Sequence, residues 1–160
     1  MNAIRAARTV ADMGEARALF EEYAGWLGVD LCFQGFAEEL ATLPGAYAPP
    51  RGRLLLAGPP AAAVGCIALR PLDVAEDGPP SIGEVKRLYV RPAARGTGLG
   101  LRLAQCLLDE ARTIGYRQIV LDTLGWMAQA RRLYEGLGFR ECAPYYHNPL
   151  AGVVYMSLAL

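Results

Sequence analysis

The chain is poor in the features that would tie it to a metal, a membrane or a polyanion. Its one histidine, His147, lies in "PYYHNPLAGVVYM". A lone histidine is a weak basis for catalysis, so a loop residue is the simpler reading, and no metal site is expected. Four cysteines, Cys32, Cys66, Cys106 and Cys142, show none of the paired spacings of a zinc knuckle or redox dithiol. They read as free, buried thiols in a reducing compartment. No stretch approaches the ~20 apolar residues of a membrane span. Charges interrupt every apolar run of "MNAIRAARTVADMGEARALF", which is therefore not a signal peptide. A cytoplasmic protein without a membrane partner is expected. Sixteen basic residues balance sixteen acidic ones, which argues against nucleic acid as the main partner, although local basic patches are compatible with a net charge of zero.

What remains is an ordinary globular composition, 53% hydrophobic and 20% charged over 160 residues. That length fits one domain, 1–160, able to bury roughly 70% of the surface its unfolded chain exposes. A short strand over 3–8 precedes an amphipathic helix in which Met13, Ala16, Leu19, Phe20, Tyr23 and Trp26/Leu27 recur at helical spacing before Gly28. A second helix over 36–43 stops at Pro44. Strands over 53–57 and 62–72 flank "GPP" and read as an antiparallel hairpin. After a polar loop, "DVAEDGPPSIG", come a strand over 84–90, a helix over 98–113, a strand "RQIVLDT", a helix "MAQARRLYEGL" closed by Gly138, and strands around "FRECA" and "GVVYMSLAL". Helices interleaved with strands in the second half predict an α/β protein whose mixed sheet is covered by helices.

The segment "EVKRLYVRPAARGTGLGLRLAQ" passes from an apolar strand through alternating glycines into a helix. It is not a dinucleotide fingerprint, because the third glycine would fall at Leu101. It is not an NTPase phosphate loop, because Leu101 and Arg102 follow Gly100 instead of Lys and Ser or Thr. Glycines at a helix N-terminus nevertheless let bare amides approach an anion, and the helix dipole favours negative charge there. A phosphate-bearing ligand fits, with Arg95 leading into the turn and Arg91 and Arg102 close by in sequence. A turn that merely needs left-handed backbone explains the glycines alone equally well.

"RGTGLG", after a strand ending in "LYVRP", resembles the R/Q-x-x-G-x-G/A pyrophosphate pattern of the GNAT superfamily of acetyl-CoA-dependent N-acetyltransferases. "ARRLYEGLGF" resembles the A-x-x-L-Y-x-x-x-G-F segment of the same superfamily. The resemblance implies a mostly antiparallel, twisted sheet of about seven strands flanked by about four helices, with a splayed central strand pair. It also implies acetyl-CoA as co-substrate. The backbone around Leu88 and Val90 would bind the acetyl and pantetheine portion, and Arg95, Gly96, Thr97, Gly98, Leu99, Gly100 and Leu101 would wrap the pyrophosphate.

Direct transfer to an amine needs a neutral nucleophile, a polarised carbonyl and a proton for the thiolate. An alkylamine titrates near ~10.4, so a base must take its proton. Glu84 stands four residues before Leu88, which strand alternation puts on one face. It matches the general-base glutamate of histone-acetylating members, whereas pairing with Lys86 or Arg87 is the structural alternative. Tyr134 matches the tyrosine that relatives use as general acid, against ordinary packing beside Leu133 and Leu137. Met127 stands where many relatives carry Asn. Tyr145 and Tyr146 could line an acceptor pocket or cap the core, and Tyr23, Trp26 and Phe33 could form its wall. The expected partners are acetyl-CoA and an amine, with a C-terminal strand or an apolar edge available for a homodimer. The alternative function is a non-catalytic acetyl-CoA sensor or assembly module on the same fold.

Overall fold

A computed structural model describes residues 2–72 and 81–160 of the chain; most of the polar loop read between the third and fourth strands lies outside the described residues. Strands β1 (Ile4–Ala6), β2 (Arg53–Ala57), β3 (Gly65–Pro71), β4 (Ile82–Val90), β5 (Gln118–Leu124), β6 (Arg140–Glu141) and β7 (Val153–Ala159) form a single seven-stranded sheet. Helices α1 (Val10–Leu27), α2 (Phe36–Ala41), α3 (Leu99–Ile114) and α4 (Ala128–Gly136) cover it. The sheet order is β1-β2-β3-β4-β5-β7-β6. Every pairing is antiparallel except β4 with β5, the parallel link that the intervening α3 crossover requires. The expected α/β fold, strand number and helix number are all found.

Local chemistry explains the boundaries. Thr9 and Asp12 form a reciprocal capping box at the start of α1, satisfying amides that the first turn leaves open, and Gly28 ends the helix in a left-handed conformation. The second helix is shorter than expected, closing at Ala41. Leu99, Leu103, Leu107, Leu108 and Ala111 make one buried stripe along α3.

The central strands are apolar on both faces because helices cover both. Leu54 and Leu56 pack with Leu19 and Phe20 of α1, whereas Leu55, Ile67 and Leu69 pack with Leu103 and Leu107 of α3. Complete burial of a leucine is worth about 1.5–3 kcal/mol, so the two layers hold the sheet rigid from either side. The four cysteines are free, as expected, but only Cys66 is buried. Cys32 is exposed because it opens a 3-10 turn after α1 instead of joining either layer.

Two irregularities position the site. Opposite β3 the register of β4 slips between Cys66 and Ala68, which pair with Tyr89 and Lys86, so Arg87 and Leu88 together face Ile67. This is a β-bulge, and Arg87 sits in it at φ 63. On its other side β4 pairs with β5 only from Ile82 to Glu84. Beyond Glu84 the two strands part, as the resemblance implied.

Candidate active site

The split between β4 and β5 is flanked by two adjacent spaces. The larger, of about 500 Å³, is a groove bounded by Leu88, Tyr89 and Val90 of β4, the turn from Arg95 to Leu101, and Trp126, Met127 and Leu133 near α4. The smaller, of about 70 Å³, lies in the split and is bounded by Lys86, Arg87 and Leu88 on one side and Asp122, Thr123 and Leu124 on the other. Leu88, Met127 and Ala130 border both.

The turn has the properties of an anion cradle. Gly96 and Gly98 both adopt φ 77, a left-handed backbone that other L-residues reach only with strain. Gly98 is the N-cap of α3. Among the described residues, none of the amides from Gly96 to Leu101 has a backbone acceptor, the first such bond being Arg102 N–H to the Gly98 carbonyl. These donors face a groove at the positive end of a 16-residue helix.

Arg95 borders the groove. It donates to the Val90 carbonyl at 2.9 Å and stacks its guanidinium over Trp26 and Tyr89. Its two sequence neighbours do not join it. Arg91 is occupied by Glu22 at 2.8 Å and by the Ala63 carbonyl, and Arg102 reaches the Asn2 carbonyl. Trp26 and Trp126 touch across the groove, ring centroids 5.7 Å apart.

Tyr134 is held on α4 with its ring edge against Phe139, 5.5 Å between centroids. It borders the smaller cavity, and its hydroxyl makes no hydrogen bond among the described residues. Burial, followed by the neighbouring Tyr23 and the negative field of Asp122, pushes the phenol upward, so it stays protonated at neutral pH.

Glu84 lies elsewhere than the alternation argument placed it. The bulge inverts the phase of β4: Leu88 packs with Val85 and the α3 layer, while Glu84 and Lys86 pair with Arg70 and Ala68 on the α1/α2 side. Glu84 and Leu88 therefore occupy opposite faces. The Glu84 carboxylate is fully buried. It accepts from Arg70 Nε at 2.7 Å and from the Tyr145 hydroxyl at 2.6 Å, with Lys86 Nζ at 3.9 Å, and it does not border either space. Arg87, the other expected partner, instead makes a bidentate pair with Glu39 of α2, both bonds 2.8 Å.

Several cavity residues escaped the sequence reading. Asp122 accepts the Tyr146 hydroxyl and, at 2.9 Å, the Asn148 amide. Lys86 is buried beside it, and burial lowers its ammonium below the usual lysine range, opposed by the fields of Glu84 and Asp122. Gln34 brings a buried amide oxygen without a partner among the described residues. The available signal was charge within apolar strands, "EVKRLYV" and "IVLDT". Tyr145 and Tyr146 thus bind the carboxylates beneath the site instead of merely capping the core. Tyr23 borders the small cavity and Trp26 the groove, whereas Phe33 borders neither. Met127 stands at the junction, its sulfur receiving the Thr123 hydroxyl at 3.7 Å. Among the described residues no group of three potential metal ligands forms and no helix is long and apolar enough to cross a membrane.

Comparison with known proteins agrees with this geometry. Residues 15–139 match the family described as "Acetyltransferase (GNAT) family". An uncharacterised N-acetyltransferase of Schizosaccharomyces pombe is 40% identical over 98% of this chain and 94% of its own. An acetyltransferase from Streptococcus agalactiae superposes with a TM-score of 0.79 at 19% identity, covering 99% of this chain and 98% of that one. A Salmonella typhimurium protein solved with its cofactor acetyl-CoA superposes with a TM-score of 0.67 at 23% identity, covering 99% and 94%. Acetyl-CoA as co-substrate is consistent with these matches and with the groove.

Proposed function

The chain belongs to the GNAT acetyltransferase family, and from that premise we propose that it moves an acetyl group from acetyl-CoA directly to a primary amine within a ternary complex. The observation that carries this reading is the adjacency of the two spaces, which share Leu88, Met127 and Ala130 as lining. Unpaired amides at the N-terminus of α3 border a groove whose Leu88 wall also bounds the cavity lined by Tyr134.

In this reading the amides from Gly96 to Leu101 and Arg95 hold the diphosphate. Beyond Glu84 the edge of β4 is freed from β5, so backbone groups around Leu88 and Val90 receive the pantetheine amides and polarise the thioester carbonyl. The amine arrives protonated and loses one proton toward Glu84. Because that carboxylate does not border the cavity, the proton reaches it through intervening water. The nitrogen attacks the thioester carbon, the carbon–sulfur bond breaks, and Tyr134 protonates the departing thiolate. The second nitrogen proton returns to the phenolate, leaving an amide, free CoA and one released proton.

Tyr134→Phe tests the assignment against a non-catalytic CoA-binding module. The substitution keeps the ring against Phe139 and leaves no protein partner unpaired, so folding and CoA affinity should be unchanged. Turnover should fall roughly a hundredfold or more, the range of general acid catalysis. Stopped-assay thiol release and calorimetric CoA titration measure the two. Equal loss of both would remove Tyr134 from the acid role, and wild-type protein that binds CoA but releases no thiol with any amine would establish the binding-module alternative.

A further inference from the structure

Three cations and three carboxylates lie at and behind the small cavity: Lys86, Arg87 and Asp122 border it, and Arg70, Glu84 and Glu39 are paired behind them. Two pairs are closed by hydrogen bonds, Arg70 with Glu84 at 2.7 Å and Arg87 with Glu39 at 2.8 Å. The remainder is one cation and one anion, both bordering the cavity. Lys86 is the only lysine of the chain. Its side chain is 4% exposed, and its one ion pair among the described residues, 3.9 Å to a Glu84 oxygen already taken by Arg70, is beyond hydrogen-bond range. Asp122 receives both of its donors on Oδ2, which leaves Oδ1 without one among the described residues. Gln34 adds the unpartnered buried oxygen, an acceptor on the same wall.

We infer that the acceptor is a small zwitterion, an α- or β-amino acid whose carboxylate meets Lys86 and whose amine meets Asp122 Oδ1 and Gln34 Oε1. The inference rests on the acetyltransferase reading for its chemistry but on separate residues for its shape. A site that is neutral overall yet carries one unsatisfied charge of each sign complements a molecule with the same property. A polyamine would face one carboxylate with two or more cations and would oppose Lys86. A simple alkylamine would leave the buried ammonium of Lys86 unpaired, which burial penalises. Size agrees: about 70 Å³, at ~10–15 Å³ for each water-sized position, admits a handful of heavy atoms. An extended peptide or an aminoglycoside would have to leave most of its mass outside.

The test is calorimetric titration of glycine, L-alanine and β-alanine, each beside its amide (glycinamide, L-alaninamide, β-alaninamide), together with ethylamine and spermidine, into the full chain with and without CoA. Thiol release from acetyl-CoA is followed on the same panel. At least one amino acid should bind, and its kcat/KM should exceed that of its amide and of ethylamine by tenfold or more. Lys86→Met, which keeps length in a buried position, should raise the amino-acid KM tenfold or more and erase the preference over the amide. Asp122→Asn should weaken the binding of amino acid and amide alike.

Amides or spermidine bound as well as amino acids, or selectivity retained in Lys86→Met, would overturn the inference. So would an acetyl group found by mass spectrometry on Lys86 itself, which would make that lysine the acceptor. Should a variant fail to fold, the wild-type comparison of acid, amide and amine decides alone. Amino-acid binding without thiol release would uphold the zwitterion-binding site while refuting catalysis. CoA binding and turnover confined to other amines would do the reverse.

Discussion

Gly96 and Gly98 give the sharpest separation between a ligand cradle and a mere chain reversal. A Cβ added to either meets no atom within 4 Å, so crowding is not the obstacle; the obstacle is φ, 77° in both. An alanine kept there pays a left-handed penalty of about 1–2 kcal/mol. At 160 residues each kcal/mol lowers the melting temperature by about 2–4 °C, so a strained turn should melt about 2–8 °C lower. If the turn instead relaxes to negative φ, the strain disappears but the amides swing out of the groove, and 1.4 kcal/mol of lost interaction weakens CoA tenfold. Gly115, at the opposite end of the same helix, is the control. It also holds positive φ with open space around it and borders neither cavity. Gly115→Ala should lower the melting temperature and leave the CoA Kd unchanged. Gly96→Ala and Gly98→Ala should each weaken CoA about tenfold by calorimetry, with a smaller melting shift when the turn relaxes. If both bound CoA like wild type while melting like Gly115→Ala, the glycines would serve only to turn the chain.

Three further outcomes follow from the same packing. Glu84→Gln removes the partner of Arg70 and Lys86. Loss of a buried pair costs about 3–5 kcal/mol, and because the Arg70 side chain is 37% exposed the cost should be nearer 2 kcal/mol, read as a lower denaturant midpoint, together with reduced turnover. Asp12 accepts from the Arg8 and Thr9 amides and from Arg5, which hold its carboxyl far below the usual range. Its stabilising contribution is thus complete above the unfolded value of about 4 and fades as pH falls through and below that value toward the folded one. Asp12→Ala should therefore destabilise the protein at pH 7 and flatten the acid limb of its stability curve; an unchanged limb would contradict the assignment. Trp26 and Trp126, the only tryptophans, both border the groove, so CoA should alter intrinsic fluorescence, and a silent titration with heat evolved would place the ligand elsewhere.

The sequence by itself determined the order of elements, the hairpin, the α3 stripe and the glycine turn, because periodicity and backbone conformation are local properties. It also marked Tyr134, which a helix start and a two-residue motif suffice to locate. Only the tertiary structure decided which face each β4 side chain takes. A strand buried on both sides shows no alternation from which to read the slip at Arg87, and that slip separates Glu84 from Leu88. The placing of Lys86 and Asp122 on one cavity, and the withdrawal of Arg91 and Arg102 into other pairs, likewise depend on strands and helices far apart in the chain. Such contacts are fixed by register and packing, which no single segment encodes.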